Sequence, residues 1–147
     1  MATYSPQRQG YHGGREDRQS TPIDTSEILL KNIKADLFDR IAQQAAETIA
    51  DNRNSNKPTQ LRRFYDEIVM WESKVSQHPD KFDEYLPFIR MINAKAAYAL
   101  GRKLVDDNFV KLISEGLKQI DSVSTMRHFK LFMEAFMGFY KEKRPKD

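Results

Sequence analysis

The chain has 147 residues, no cysteine and a net charge of +3, and 31% of its residues are charged. That length suits one domain with a hydrophobic core, and the lack of cysteine excludes disulfides, thiolate metal sites and thiol nucleophiles. No apolar run is long enough to span a bilayer and no apolar signal-peptide core stands near the amino terminus, so we expect a soluble, cytoplasmic protein without a membrane partner.

The first 25 residues differ in composition from the rest of the chain. They hold three of the six glycines and almost no aliphatic side chains, so they cannot bury enough apolar surface to offset the entropy lost on ordering. We therefore predict a disordered tail over 1–25. Because no alternating strand pattern or Asn-Gly hairpin turn follows, 26–147 is predicted to be a single all-α domain.

Two helices are predicted before residue 80. The first begins after Thr25 or Ser26, runs to about residue 51 and packs through its first half, because its second half is rich in alanine and weakly patterned. The second follows the polar connector 52–57 and is capped by Thr59. Its predicted buried face consists of Leu61, Phe64, Ile68, Trp71 and Val75.

The central helix, predicted over 85–103, carries two patterns. Its apolar residues Phe88, Ile89, Ile92, Ala96, Ala99 and Leu100 fall on one side. Met91, Lys95, Tyr98 and Arg102, spaced i, i+4, i+7 and i+11, fall within about 60° on the opposite side. Two cations with an aromatic ring and a thioether could lie along a nucleic-acid strand. A helix buried on both sides, with the cations snorkelling outward, is the alternative that periodicity alone favours.

A basic cluster also marks the start of the second helix. Arg62 and Arg63 lie in its first turn and Lys57 stands just upstream. Cations at a helix amino terminus oppose the macrodipole, and a bound phosphate would remove that conflict. The sequence therefore indicates either an anion site here or simply solvated arginines. Residues 52–103 hold ten basic and six acidic side chains, which supports an anionic partner for this part of the chain.

Two further helices complete the predicted domain. Asp106 to Asn108 break the central helix, unless it continues with a kink, and cap a helix with an apolar face over 109–120. Ser124 is a plausible cap for the last helix, whose broad aromatic face either closes the core or docks on another subunit. The charged residues 141–147 are expected to fray. The predicted architecture is a compact all-α bundle of about five helices.

Catalytic signatures are absent from the sequence. It contains no Gly-rich phosphate loop, His-Glu-x-x-His or Gly-x-Ser-x-Gly motif, so we expect no enzyme and no cofactor. The residues that most invite a metal are His78, Asp80, Asp83 and Glu84, but this connector is more typical of a turn whose acidic residues enter a helix. We therefore predict no metal site.

Three segments in order resemble a known family: TQLRRFYDEI (59–68), LPFIRMINAKAAYALGRK (86–103) and FKLFMEAFMGFYK (129–141). They are similar to the small helical subunit of type III-A CRISPR effector complexes, the Csm complexes. The resemblance covers roughly 57–141. It implies a non-catalytic all-α subunit that stacks in several copies beside repeat-containing backbone subunits and a large polymerase-like subunit, along a CRISPR RNA that captures target RNA.

The resemblance also points to RNA-binding residues. Carried over position by position, the basic residues of the matching segments are Arg62, Arg63, Lys95 and Arg102. Lys57 is added for its proximity and Tyr98 for its place beside Lys95 and Arg102. The competing hypothesis is a purely structural helical module that packs on other subunits without touching RNA.

Overall fold

The computed structural model describes residues 21–145, and every regular element among them is helical. Only Met91 separates the helix Phe82–Arg90 from the helix Ile92–Gly101, so these two form one interrupted helix and the bundle has five helices in that sense. The prediction of an all-α bundle of about five helices is confirmed. The elements are a π-helical turn at Leu37–Ile41 that leads into α1 (Ala42–Ala50), α2 (Pro58–Gln77), a 3₁₀ turn (Pro79–Lys81), α3 (Phe82–Arg90), α4 (Ile92–Gly101), α5 (Asp107–Gln119) and α6 (Val123–Lys143).

The last helix forms the centre of the core. It packs chiefly against α1 and α2, while α4 packs against α5. Burial of each aromatic ring stabilises the fold by roughly 1.5–3 kcal/mol, so this face closes the core, which is one of the two roles predicted for it. Its fully buried residues are Met126, Phe129, Phe132, Met133, Phe136 and Tyr140.

The first helix is shorter than predicted, and the second half of its predicted range is buried as well as the first, in which Leu30, Leu37 and Ile41 are buried. In its alanine-rich part, Ala42, Ala45, Ala46 and Ile49 are each less than 5% exposed. Small side chains let the backbone of α1 lie close to α6, so weak sequence patterning here reflects tight packing. The prediction that only the first half packs was wrong.

Residues 21–36 differ from both predictions made for them. Residues 21–25 are not a disordered tail, and 26–36 do not form the start of a helix. Asp24 accepts hydrogen bonds from the backbone N–H and the hydroxyl of Ser26, a local bonding pattern that competes with helix formation. Ile23 is only 3% exposed and its N–H donates to the Asn108 side chain at 2.9 Å. The disorder predicted for 21–25 was therefore wrong, and the disorder predicted for 1–20 lies outside the described residues.

Side chains of α5 and α6 also hydrogen-bond to the backbone of residues 28–30 in this segment. Gln119 accepts from the Leu30 N–H and donates to the Ile28 carbonyl, and a ring nitrogen of His128 lies 2.7 Å from the Leu30 carbonyl oxygen. Side chains from distant helices thus satisfy backbone groups that a local helix would have satisfied.

Three of the four predicted helix caps were wrong, the first because no helix begins at Thr25 or Ser26. Helix α2 begins at Pro58, and Lys57 is its N-cap, so Thr59 is not the cap. Proline suits the first helical position because it has no N–H group that would need a partner there. Ser122, not Ser124, caps α6 through a capping box with Thr125. Asp106 does cap α5, accepting from the Phe109 N–H at 3.0 Å. The chain leaves the helix between α4 and α5, so they are not one kinked helix.

The predicted buried face of α2 is confirmed except at Trp71. Leu61, Phe64, Ile68 and Val75 are buried, whereas Trp71 is half-buried at the edge of the core. Its ring stacks on Phe88, 6.0 Å between centroids and 15° between planes. Phe88 was predicted to be buried but is 53% exposed, because it lies against the end of α2 with its other side open.

The connector before α2, residues 52–57, has two buried residues, Ser55 and Asn56. Together with the end of α6 we call it the Asn56 junction. Asn56 is buried with φ of 54°, and its amide donates to the Ile49 carbonyl and accepts from the Asp106 N–H. The Tyr140 hydroxyl donates to the Asn56 carbonyl. This network fixes where α2 begins.

Arg144 completes the Asn56 junction. It is only 3% exposed, and its guanidinium donates to the Ser55 carbonyl at 2.8 Å and to the Asn56 and Asn52 carbonyls at 3.3 Å. The predicted fraying of residues 141–147 was therefore wrong at this position. Buried carbonyl groups in the connector need donors, and the guanidinium supplies them.

Candidate nucleic-acid interface

A groove of about 280 Å³ runs between α2 and α4, and we call it the α2–α4 groove. Each helix contributes four residues at the same spacing, i, i+3, i+4 and i+7, which is the spacing of one helix face. The lining residues are Gln60, Arg63, Phe64 and Glu67 from α2, Lys95, Tyr98, Ala99 and Arg102 from α4 or its C-cap, and Leu104.

Buried packing and one backbone link hold the two walls in place. Phe64 and Ala99 form the floor and are 7% and 4% exposed. The Phe64 ring packs edge-on against Phe109 of α5, 5.3 Å between centroids. The Lys57 N–H donates to the Leu104 carbonyl at 3.1 Å, which joins the start of α2 to the residue that follows α4. The Asn56 junction therefore positions the groove.

Three cations and one carboxylate line the α2–α4 groove. Lys95 Nζ lies 2.8 and 3.0 Å from the two Glu67 carboxylate oxygens, and the same carboxylate accepts from Trp71 Nε1 at 3.3 Å. Within residues 21–145, Arg63 and Arg102 have no ion-pair partner. Of the three cations in the groove, these two guanidinium groups are therefore the ones available to an external anion.

Tyr98 projects from the wall of the groove into solvent. It is 67% exposed, and the guanidinium carbon of Arg102 lies 5.9 Å from its ring centroid, a cation–π distance. Met91 is also 50% exposed but lies outside the groove lining. The alternative in which this helix is buried on both sides is therefore wrong.

The structure brings together four of the six predicted site residues: Arg63, Lys95, Tyr98 and Arg102. Arg62 lies on another side of α2, where it pairs with Asp66 at 2.9 Å and lines a separate groove with residues of α6. Lys57 is exposed beside the groove without lining it. Neighbouring residues of a helix point about 100° apart, which separates Arg62 from Arg63.

Sequence reasoning missed Glu67 and Gln60. Gln60, Arg63, Phe64 and Glu67 stand at positions i, i+3, i+4 and i+7 of α2. Listing the residues on the same face of α2 as Arg63 would therefore have found both. The acidic connector around His78 does not gather into a site. Within the described range no three His, Cys, Asp or Glu side chains converge as metal ligands do, and residues 76–81 are all exposed.

A family model gives the decisive comparison. The model described as Csm2 Type III-A matches residues 32–146, which include the whole bundle from the π-helical turn to Arg144 and every residue of the α2–α4 groove. The chain belongs to the Csm2 Type III-A family. The resemblance seen in the sequence is confirmed, and the chain is a small structural subunit of a type III-A CRISPR complex that associates with other Csm subunits.

The match to Csm2 Type III-A begins at residue 32, so the fastened segment 21–31 lies outside it. Comparison with curated proteins and with solved structures found no significant match. Across residues 21–145, none of the helices combines the length and the apolarity needed to cross a membrane.

Proposed function

We propose that this Csm2 subunit binds the backbone of the guide–target RNA through its α2–α4 groove, stacked in several copies within the cytoplasmic type III-A complex. One observation carries the proposal. Arg63, Lys95, Tyr98 and Arg102 come from two helices, yet they line one groove. The partners in this proposal are the CRISPR RNA, the target RNA, the repeat-containing backbone subunits, the large polymerase-like subunit and further copies of the chain.

The charges of the groove suit a backbone better than a base sequence. Arginine guanidinium groups bind phosphate oxygens in a bidentate manner without reading the sequence, and pairing with the guide would supply specificity. One subunit offers only a few phosphate contacts, so its affinity alone is weak at physiological salt. Several stacked copies would bind the same RNA much more tightly. In this proposal the subunit holds RNA and leaves cleavage to other subunits.

Lys57 and Arg62 remain predicted RNA-binding residues outside the groove. Lys57 lies at the start of α2 with its side chain exposed, so an RNA strand leaving the groove could reach it. Arg62 donates from Nε to Asp66, so the negative charge of that carboxylate opposes phosphate binding by Arg62. We expect both residues to contribute less than Arg63 and Arg102.

A purely structural module is the second candidate, and one contact favours it. Lys95 is already paired with Glu67, as expected of a residue that only joins two helices. Phe88 and Met91 are exposed and could pack on a neighbouring subunit. Phe136 cannot test this possibility, because it is fully buried in the core and its loss would unfold the chain.

The test measures retention of target RNA by the assembled complex over a range of salt concentrations. Arg63→Ala and Arg102→Ala should each weaken retention and lower the slope of log K against log salt by about one. Assembly should be unchanged, because both side chains are exposed. Lys74→Ala, at the far end of α2, is the matched control. If both groove variants retain RNA like the control, the subunit is a structural module.

A further inference from the structure

We infer that the α2–α4 groove takes an unpaired nucleotide, with its base stacked on Tyr98 and its phosphate held by Arg63 and Arg102. This inference rests on the proposed RNA-binding function and names the part of the RNA that the groove accepts. The inference specifies that the bound nucleotide is unpaired, because base pairing decides whether the Tyr98 ring can reach the face of the base.

The position of Tyr98 carries the inference. Among the large hydrophobic residues described as exposed, it is the most exposed, at 67%. A tyrosine that served packing would bury its ring against apolar neighbours. Here the closest described ring contact is the Arg102 guanidinium, 5.9 Å from the centroid. A cation beside an accessible ring is the combination with which single-stranded nucleic acids are bound.

A paired nucleotide cannot use this ring. In a duplex both faces of each base are covered by neighbouring bases, and the accessible minor groove of RNA shows base edges and 2′-hydroxyl groups. An unpaired base presents its whole face and can stack on an aromatic side chain. The accessible ring of Tyr98 therefore fits an extruded or overhanging nucleotide better than it fits the duplex itself.

The charges beside Tyr98 suit the phosphate of the same nucleotide. Arg63 lines the opposite wall and Arg102 the same wall, and neither has an ion-pair partner among residues 21–145. Lys95 is held by Glu67, so phosphate binding does not depend on it. The groove thus combines one stacking surface with two available guanidinium groups.

Photochemical cross-linking within the assembled complex tests the inference. Three target RNAs carry 5-iodouridine at every uridine: one fully complementary to the guide, one with internal mismatches and one with a single-stranded overhang. Trypsin cleaves after Lys95 and Arg102, so Tyr98 is the only aromatic residue in peptide 96–102. After irradiation, mass spectrometry measures the RNA adduct on that peptide.

We expect the adduct from the mismatched or the overhanging target, and several-fold less from the fully paired one. Which of the two gives more identifies the source of the unpaired nucleotide. Tyr98→Phe should keep the adduct. Tyr98→Ala should lose it and weaken binding of that target by about fivefold or more, the minimum expected for one stacked base.

Two results would overturn the inference: equal adduct from all three targets, or no adduct on 96–102 while the RNA stays bound. Failure of the proposed function is distinguishable. In that case Arg63→Ala and Arg102→Ala would leave RNA retention unchanged, whereas failure of the inference alone would leave their effects intact and remove only the dependence on Tyr98.

Discussion

The Asn56 junction and the α2–α4 groove lie side by side at the start of α2, yet they use arginine in opposite ways. In the junction, Arg144 is 3% exposed and its guanidinium is directed at backbone carbonyl groups. In the groove, Arg63 and Arg102 are exposed and have no ion-pair partner in the described part of the chain. The difference teaches that buried carbonyl groups, not local charge density, decide whether an arginine supports the fold or stays exposed.

This contrast predicts two separable classes of variant. Loss of a junction side chain leaves buried backbone groups without partners, which costs folding free energy. Loss of a groove cation leaves no buried group without a partner, so we expect it to weaken RNA binding and not the fold. The following variants test that separation.

The largest effect is expected from Asn56→Ala. The change leaves the Ile49 carbonyl and the Asp106 N–H without partners and places alanine at φ of 54°. Together these should lower the free energy of unfolding by about 2–4 kcal/mol, measured by urea denaturation. Ser55→Ala is the matched control, because the Ser55 hydroxyl is buried without a hydrogen-bond partner. Equal loss in both variants would contradict this account of the junction.

The second test compares the loss of the buried arginine of the Asn56 junction with the loss of an exposed arginine of the α2–α4 groove. Arg144→Ala should lower the free energy of unfolding by about 1–3 kcal/mol, since it deprives buried carbonyl groups of a donor. Arg102→Ala should change it by less than about 0.5 kcal/mol, as expected for an exposed side chain. Thermal and urea denaturation measure both. A large loss of stability in Arg102→Ala would show that the groove is part of the folding core and would remove the distinction.

Glu67→Gln tests whether the groove can gain a cation. The change frees Lys95 from its ion pair, so RNA retention should rise and the salt slope should increase by about one. Stability should fall by less than about 1 kcal/mol, because the pair is partly exposed. Glu115→Gln on α5, which removes another carboxylate that pairs with a lysine, is the control and should not affect RNA. Unchanged retention in Glu67→Gln would show that Lys95 takes no part in binding.

The smallest expected effect is a loss of stability at low pH, which comes from two ion pairs outside the Asn56 junction and the α2–α4 groove. A hydrogen bond from Arg40 lowers the pKa of Asp36 below its usual 3.8, and a hydrogen bond from Lys31 does the same for the pKa of Asp121. A lowered pKa means that the unfolded chain binds more protons, so this contribution is complete above the unfolded value and is lost as pH falls through the folded one. Thermal denaturation between about pH 5 and pH 2 should show the loss.

The matched variants for the acid test are Asp36→Asn and Asp121→Asn. Each should flatten the acid dependence of the melting temperature slightly, because the titrating carboxylate is gone. Asn56→Ala, by contrast, should lower the melting temperature at every pH without changing the slope. An unchanged acid limb in Asp36→Asn and Asp121→Asn would show that the two ion pairs are too well solvated to matter.

Long periodic segments could be predicted from sequence, and long-range bonding could not. The buried faces of α2, α5 and α6 follow from apolar residues at helical spacing, because packing selects such residues. Residues 26–36 were mistaken for a helix because their partners, Gln119 and His128, lie far away in sequence. The alanines of α1 gave too weak a signal, since close packing needs small side chains more than hydrophobic ones.

The candidate site was predictable along each helix but not between helices. The exposed face with Lys95, Tyr98 and Arg102 followed from spacing within α4. That Arg63 joins it while Arg62 points elsewhere depends on the rotation of α2, which the buried Phe64 fixes. The role of Arg144 could not be predicted, because the carbonyl groups that it satisfies belong to a connector almost ninety residues earlier.

The hydrogen bond from Trp71 to Glu67 has an optical consequence. Trp71 is the chain's single tryptophan, and the carboxylate that accepts from its indole also holds Lys95. A phosphate bound by Arg63 and Arg102 would add negative charge to the groove that this carboxylate lines, so we expect tryptophan emission to shift when RNA enters the groove. We therefore expect Trp71 to serve as an intrinsic fluorescent reporter of groove occupancy, with which a titration could follow binding without attaching a dye to either partner.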